Sequence, residues 1–389
     1  MLQWKTEAIE VTERGIPIMD TIYARRKQSL LVYMRERGIG LSLITSPTNV
    51  NYFTGFFCQP HERFLALAID AETGGEKLFM PLLDLPEAEK HVVDKADAVP
   101  ISDTDDAYEV LQRYFGPAQL ESVGIEKEAV SLAKAERLQA ALPGSQFEDL
   151  ESFILSMRMK KSAEEIKKVR TAVEMVEQVV GHAAGLAKIG MTEIELTAEI
   201  EYQMRKLGAE RPAFESIVLT GARSALPHGT PGPYAFREGD FVLIDIGVQV
   251  NGYCSDITRT FVMGDATKEQ RAIYDAVLAG NLAGIEAARA GVPLSAVDKA
   301  ARDAIAARGY GPLFTHRVGH GFGMDVHEQP SVSGSNSALI EPGLLFTVEP
   351  GVYDPIIGGV RIEDDVYIGE DGQAVVLTSY PKELIVLGG

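Results

Sequence analysis

Cysteine is nearly absent from this chain, which has only Cys58 and Cys254 in 389 residues. Two thiols cannot make a disulfide framework, so the fold must rest on its apolar core, which a chain of this length can build. Positive charge is also scarce. Against 56 Asp and Glu stand 37 Lys and Arg, a formal charge of −19, which argues against nucleic acid or an anionic membrane as the main partner. No uninterrupted apolar run approaches the roughly 18 residues that a bilayer span requires. The opening stretch MLQWKTEAIEVTERG has neither the basic nor the apolar segment of a secretory signal. The expectation is a soluble, cytoplasmic enzyme that works without nucleic acid or membrane.

What is present suggests two domains after a short extension at residues 1–20. From 21 to 152 the pattern is α/β. A helix from Thr21 to Arg37 runs through Gly38 into the strand-like LSLITSP, and FLALAID and KLFMPLL then alternate with helical stretches such as LAKAERLQAAL. The second domain is expected over 153–389, after a join near ESFILSMRMKKSAEE, where Ser162 and Glu165 have capping-box spacing. It carries a weak internal repeat. One copy runs from Ser162 through Gly190 and Thr192-x-x-Glu195 to Gly208. The other runs from Thr267-x-x-Gln270 through Gly291 and Ser295-x-x-Asp298 to Gly309. The two glycine pairs keep one spacing, so the domain reads as two α+β halves with room for a site between them.

The segment FVLIDIGVQVNGYCSDITRTFVMG, residues 241–264, places two acids inside an apolar hairpin. Asn251-Gly252 favours a two-residue turn with positive φ. If Val250 faces Tyr253, then Gly247 lies opposite Asp256 and Asp245 opposite Thr258. Both acids then share a face, and Gly247, without a side chain, leaves the gap between them open. Ile244, Ile246, Val248 and Ile257 form the other, core-facing side. Carboxylates this close in a dry site take up a proton or a cation. From this stretch alone, a solvated polar face and a metal site both remain open, with Cys254 read as a small packed residue.

Further polar residues decide between them. THRVGHGFGMDVHEQP concentrates His316, His320 and His327, three of the seven histidines, with glycines flanking His320 that allow close backbone approach. GHGFG lacks the frame and the βαβ setting of a dinucleotide fingerprint. In LLFTVEPGVY, Pro350 and Gly351 stop an apolar strand and leave Glu349 at its end. In GGVRIEDDVYI, alternation puts Arg361, Glu363 and Asp365 on one face and Ile362 on the other. Four carboxylates and one imidazole exceed what one divalent ion needs, so two metal ions are the economical reading. Mn²⁺ is favoured by the oxygen-rich set, with Co²⁺, Fe²⁺ or Zn²⁺ as alternatives. A bridging water there would lose a proton near neutral pH and become a nucleophile.

The stretches DIGVQVNGYCSDITRTF, VGHGFGMDVHEQP, TVEPGVY and GGVRIEDD resemble the superfamily of prolidase, aminopeptidase P, methionine aminopeptidase and creatinase. The resemblance implies an α+β fold: a C-terminal pita-bread domain with an internal pseudo-twofold repeat, preceded by an α/β creatinase/prolidase-type domain. It implies that Asp245, Asp256, His320, Glu349 and Glu363 hold two ions, with Asp256 and Glu363 bridging. His228, in SALPHG, and His327 would contact substrate and stabilise the oxyanion, and Glu349 would also shuttle a proton. His316 would line the proline-side pocket, and Arg361 matches the arginine of the proline-specific branch.

One departure stands out. Prolidases place an arginine shortly after the histidine equivalent to His327 to grip the dipeptide carboxylate, and EQPSVSGSNSALIEPGLLF contains none. His61 and Arg63, in FFCQPHERF, are candidate substitutes, reaching an active site that could belong to a partner subunit. The expected function is hydrolysis of Xaa-Pro dipeptides by a metal-bridging hydroxide in a homodimer. The alternatives are aminopeptidase P activity on longer peptides, a creatinase-like C–N hydrolase and a non-catalytic binding protein.

Overall fold

A computed structural model describes residues 21–92, 94–116 and 120–388, so the extension expected at 1–20 lies outside the described residues. The chain divides between Met157 and Arg158 into two compact units. Among the described residues, no helix is long and apolar enough to cross a membrane.

The first unit opens where the Thr21 hydroxyl accepts from Ala24 N at 3.2 Å and caps helix Ile22–Arg37, which Gly38 ends at φ 68°. Strands Leu41–Ile44, Ala66–Asp70 and Glu76–Pro81 form where the three apolar runs predict them, and LAKAERLQAAL supplies helix Leu132–Ala141. They belong to a mixed six-stranded sheet ordered Ala98–Ile101, Glu76–Pro81, Ala66–Asp70, Leu41–Ile44, Ser122–Ile125, Gln146–Asp149. The unit is α/β, as its alternating elements predict.

The second unit holds two helix pairs, Ala163–Leu186 with Glu193–Leu207 and Lys268–Ala287 with Leu294–Ala306. Capping boxes form at Ser162/Glu165, Thr192/Glu195 and Thr267/Gln270. The fourth, expected at Ser295/Asp298, does not. Pro293, extended at φ −70°, starts that helix at Leu294, so Ser295 lies inside it. Asp298 turns inward instead, pairing with Arg302 at 2.7 Å and accepting from Val318 N at 3.0 Å. The repeat glycines Gly190, Gly208, Gly291 and Gly309 all have positive φ, between 82° and 100°, a backbone state that glycine adopts at no steric cost.

Each helix pair packs on its own sheet. Val176, Val180, Leu196 and Ile200 bury against Ile244, Ile257 and Phe261. Ile273, Val277, Val297 and Ala301 bury against Phe346, Val348 and Val366. Burying one such aliphatic side chain stabilises by about 2 kcal/mol, so each half closes around its own core, and polar residues are left at the seam.

The acidic hairpin has the expected register: Val250 pairs with Tyr253, Ile246 with Ile257 and Asp245 with Thr258, about a turn in which Asn251 (φ 51°) and Gly252 (φ 75°) are left-handed. Its middle differs from expectation. Pairing breaks at Gly247, and Val248–Val250 joins a separate sheet with Tyr253–Cys254 and Arg211–Pro212. The space beside Gly247 is filled, not open. A Cβ there would stand 2.2 Å from Ser255 O and 2.8 Å from the Phe214 ring.

Candidate metal centre

The two halves each supply ligands from the ends of an antiparallel pair. Asp245 lies in strand Phe241–Ile246, and Asp256 immediately precedes strand Ile257–Met263. Glu349 follows strand Leu345–Val348, and Glu363 immediately precedes strand Asp364–Ile368. Asp256 and Glu363 therefore occupy matching places in the two halves. His320 is the middle residue of the short strand Gly319–Gly321, whose glycines are needed: added Cβ atoms would lie 1.9 Å from Thr347 O and 2.1 Å from Gln329 O. All five residues line a cavity of about 770 Å³ within the second unit.

Ligand atoms of Asp256, His320 and Glu363 lie within 4.8 Å of one another. His320 Nε2 stands 3.7 Å from Asp256 Oδ2 and 3.4 Å from Glu349 Oε1. Its Nδ1 lies 3.1 Å from Gly321 O. A carbonyl only accepts, so Nδ1 carries the proton and Nε2 points a lone pair at the two carboxylates. Burial lowers the His320 pKa to about 3, helped by His327, so the ring is neutral at ordinary pH. A neutral acceptor facing two more acceptors lacks a cation.

The carboxylates carry the same signature. Burial, then Glu363 and Asp245, raises Asp256 well above the usual range, and burial, then Glu349 and Asp245, does the same to Glu363. Glu349 is pushed up to about 7, chiefly by burial. Asp245 Oδ1 is buried with no hydrogen-bond partner among the described residues. Crowded acceptors with an orphaned oxygen fit a divalent metal, which would relieve repulsion and desolvation together.

A second layer of contacts holds the ligands. Thr258 Oγ donates to Glu363 Oε2 at 2.7 Å and accepts from Arg361 Nε at 3.1 Å. Arg361 also donates to Asp245 Oδ2 and, at 2.9 Å, to the Tyr353 hydroxyl. That hydroxyl lies 2.8 Å from His316 Nε2, and His316 Nδ1 lies 2.7 Å from Arg317 O. The protons in this chain have one consistent direction: Arg361 to Tyr353, Tyr353 to His316, and His316 to its neighbour's carbonyl. Burial lowers His316 to about 4, keeping it neutral. Arg361, expected in the catalytic machinery, is 3% exposed, and its nitrogens are engaged by Asp245, Thr258 and Tyr353.

The remaining expected residues divide between the units. His228 and His327 both line the cavity, and the His327 ring stands edge-on to His320 at 4.2 Å between centroids. His61 and Arg63 belong to the first unit, where His61 has φ 55° and Arg63 pairs with Asp103 at 2.7 Å. Cys254 is buried and its Sγ approaches Met324 O at 3.6 Å, a packed thiol. Tyr353, Thr258 and Asp365 were missed as supporting residues. Asp365 is fully buried and accepts from Asp256 N at 3.3 Å. Tyr353 left one signal in the sequence: Gly351, two residues earlier, where a Cβ would stand 2.4 Å from the Tyr353 hydroxyl.

The family models described as "Metallopeptidase family M24" and "Creatinase/Prolidase N-terminal domain" match residues 167–370 and 26–160. This chain belongs to metallopeptidase family M24. It is 39% identical to "Putative dipeptidase YkvY" of Bacillus subtilis (strain 168) over 93% of this chain and 99% of that protein. Two solved structures share its fold. The Xaa-Pro dipeptidase from Bacillus anthracis has a TM-score of 0.86 and 31% identity over 94% of this chain and 100% of that one. The X-Pro aminopeptidase from Thermotoga maritima MSB8 has a TM-score of 0.84 and 32% identity over 93% and 99%. The chain is thus a peptidase of the pita-bread superfamily with a creatinase-type N-terminal domain, as its motifs imply.

Proposed function

We propose that the protein is a dinuclear metallopeptidase that hydrolyses Xaa-Pro bonds, chiefly in dipeptides. The observation that carries this reading is the set of buried acceptors converging on His320 Nε2 with no donor among them. Asp245, Asp256, His320, Glu349 and Glu363 would hold two divalent ions. Mn²⁺ is favoured by the oxygen-rich set, with Co²⁺, Zn²⁺ or Fe²⁺ as alternatives. Bound there, such ions polarise the scissile carbonyl and activate water for attack.

The chain's own groups do the rest. Glu349 carries a proton from the attacking water to the leaving nitrogen. His228 and His327 offer ring N–H groups to the oxygen that gains charge. His316, its ring fixed by Tyr353, faces the proline side. Arg361 is a positioning residue that acts through Asp245 and Tyr353. In a cytoplasmic homodimer, His61 and Arg63 would reach the substrate of a partner subunit.

Aminopeptidase P activity is the second reading, favoured by the likeness to the Thermotoga maritima enzyme. Chelated protein supplied with Mn²⁺ and given Ala-Pro, Ala-Pro-Ala and Ala-Ala separates them. Release of proline from Ala-Pro supports the dipeptidase, and preferential release of alanine from Ala-Pro-Ala supports the aminopeptidase. Protein that purifies without metal and stays inactive on every Xaa-Pro peptide would be a binding protein.

A further inference from the structure

Glu193 opens helix Glu193–Leu207, a place where an acid is ordinarily solvated and favoured by the helix dipole. Here the side chain is fully buried. A carboxylate is costly to take out of water unless hydrogen bonds replace its hydration. Glu193 has that replacement, and all of it comes from one stretch of chain. Oε1 accepts from Thr220 N at 2.8 Å and from Arg223 Nε at 3.0 Å, and Oε2 accepts from the same Nε at 3.1 Å and from Gly232 N at 2.9 Å.

Thr220 and Gly232 are the two ends of the segment that carries His228. One buried side chain therefore ties together a loop whose middle, Leu226 to Gly229, lines the metal cavity. Arg223 tightens the loop from within: its Nη2 donates to Thr230 O at 2.7 Å, and its guanidinium lies 3.9 Å from the centre of the Tyr234 ring. Leu226 N donates to Arg223 O and Gly229 N to Leu226 O, both at 3.0 Å. Ser224 Oγ accepts from Gly359 N at 2.8 Å, which joins the loop to the strand ending at Arg361. His228 is exposed, and its ring has no hydrogen-bond partner among the described residues. Its place is set by the backbone beneath it.

We infer that Glu193, together with Arg223, is a positioning residue for the reaction: it holds the loop that sets the His228 imidazole at the cavity, where the ring can meet the oxygen that gains charge. This rests on the peptidase reading and on the role given there to His228. A misplacement of about 1 Å can cost roughly 100-fold in rate. A contact made only in the transition state shows its loss in kcat and not in KM.

The test is a double-mutant cycle on Ala-Pro with saturating Mn²⁺, using Glu193→Gln, His228→Ala and the two combined. E193Q keeps the shape but turns an amide N–H₂ toward backbone donors. It should lower kcat about 10- to 100-fold with KM little changed, and the double variant should be no slower than H228A alone. Losses that multiply would overturn the inference, as would wild-type kcat in E193Q or in H228A. Arg223→Lys keeps a cation beside Glu193 but loses the tie to Thr230, so a smaller loss of the same kind is expected; if E193Q does not fold, R223K takes its place in the cycle under the same outcomes. A second readout needs no catalysis. The chain has seven histidines, and in ¹⁵N-histidine NMR spectra of the chelated protein the signal missing from H228A identifies His228. In E193Q or R223K that signal should shift or broaden while the others hold. An unmoved His228 signal, or a change spread over all the histidines, would overturn the inference. If wild type cleaves no Xaa-Pro peptide at all, the peptidase reading falls and takes this inference with it.

Discussion

Arg361 donates to one oxygen of Asp245 and leaves the other, which is buried, without a hydrogen-bond partner among the described residues. One carboxylate thus has a held oxygen and an offered one. Supporting contacts of this kind fix a ligand's direction before the metal arrives.

Arg361→Lys keeps the charge but loses the fork that reaches Thr258 and Tyr353 as well as Asp245. Mn²⁺ affinity or kcat should fall about 10- to 100-fold. Arg361→Ala leaves Asp245 and its neighbours without their cation and should cost about 3–5 kcal/mol of stability. Metal content at fixed free Mn²⁺, measured beside the melting temperature, distinguishes the two effects. Unchanged Mn²⁺ affinity and activity in R361K would remove the positioning role.

The metal-free protein should be less stable in mild alkali than near neutrality. Glu349 is pushed up to about 7 by burial, and Asp256, Glu363 and Asp365 are raised by burial as well. An acid raised on folding binds protons better in the native state, so its contribution is present at low pH and lost as pH rises through the folded value. His316 and His320, lowered by burial to about 4 and about 3, act the other way, but only below their ordinary value of 6.5. From about pH 6.5 to about 8 the carboxylates alone set the slope. Calorimetry of chelated protein should show the melting temperature falling across that window, and saturating Mn²⁺ should flatten it. A rising melting temperature in the chelated protein would count against crowded carboxylates.

Two glycine substitutions should differ sharply. In Gly319→Ala the new Cβ would meet Thr347 O at 1.9 Å, a backbone atom that cannot yield while Thr347 also accepts from His320 N at 3.2 Å. A loss above about 4 kcal/mol is expected, in the range of severe steric lesions. Gly309→Ala meets no atom within 4 Å and pays only for its φ of 89°, about 1 kcal/mol. Denaturant unfolding of both variants checks the contrast, and equal losses would contradict it.

Arg63→Ala tests whether the first unit reaches the substrate. Arg63 already has both arms on Asp103, at 2.7 and 3.1 Å. A cation with a counter-ion in place has less to offer a substrate carboxylate, so the dipeptide KM should rise only a few-fold in R63A. Initial rates on Ala-Pro across a concentration series give the value, and an unchanged KM would remove His61 and Arg63 from the substrate site.

Local chemistry made much of this legible. Asn251-Gly252 set the hairpin register because both positions need positive φ, and three of four capping boxes formed as their spacing predicts. The family motifs then pointed to the five residues that meet in one cavity. What stayed hidden depends on neighbours distant in the chain. Asp298 reads as a cap until Pro293 starts the helix earlier and Val318 arrives from another segment. Gly247 reads as a gap, but Phe214 fills it. Tyr353 reads as an ordinary strand residue because its contact with His316 spans 37 positions. Alternation reports which face a residue is on, not what stands opposite it.

Whether Asp245, Asp256, His320, Glu349 and Glu363 cage a pair of ions is tested most directly by anomalous diffraction at the manganese edge from crystals grown with Mn²⁺. Two peaks enclosed by these five side chains, with Asp256 and Glu363 touching both, are the predicted result. A single peak, or peaks bound elsewhere while these side chains stay free, would contradict it.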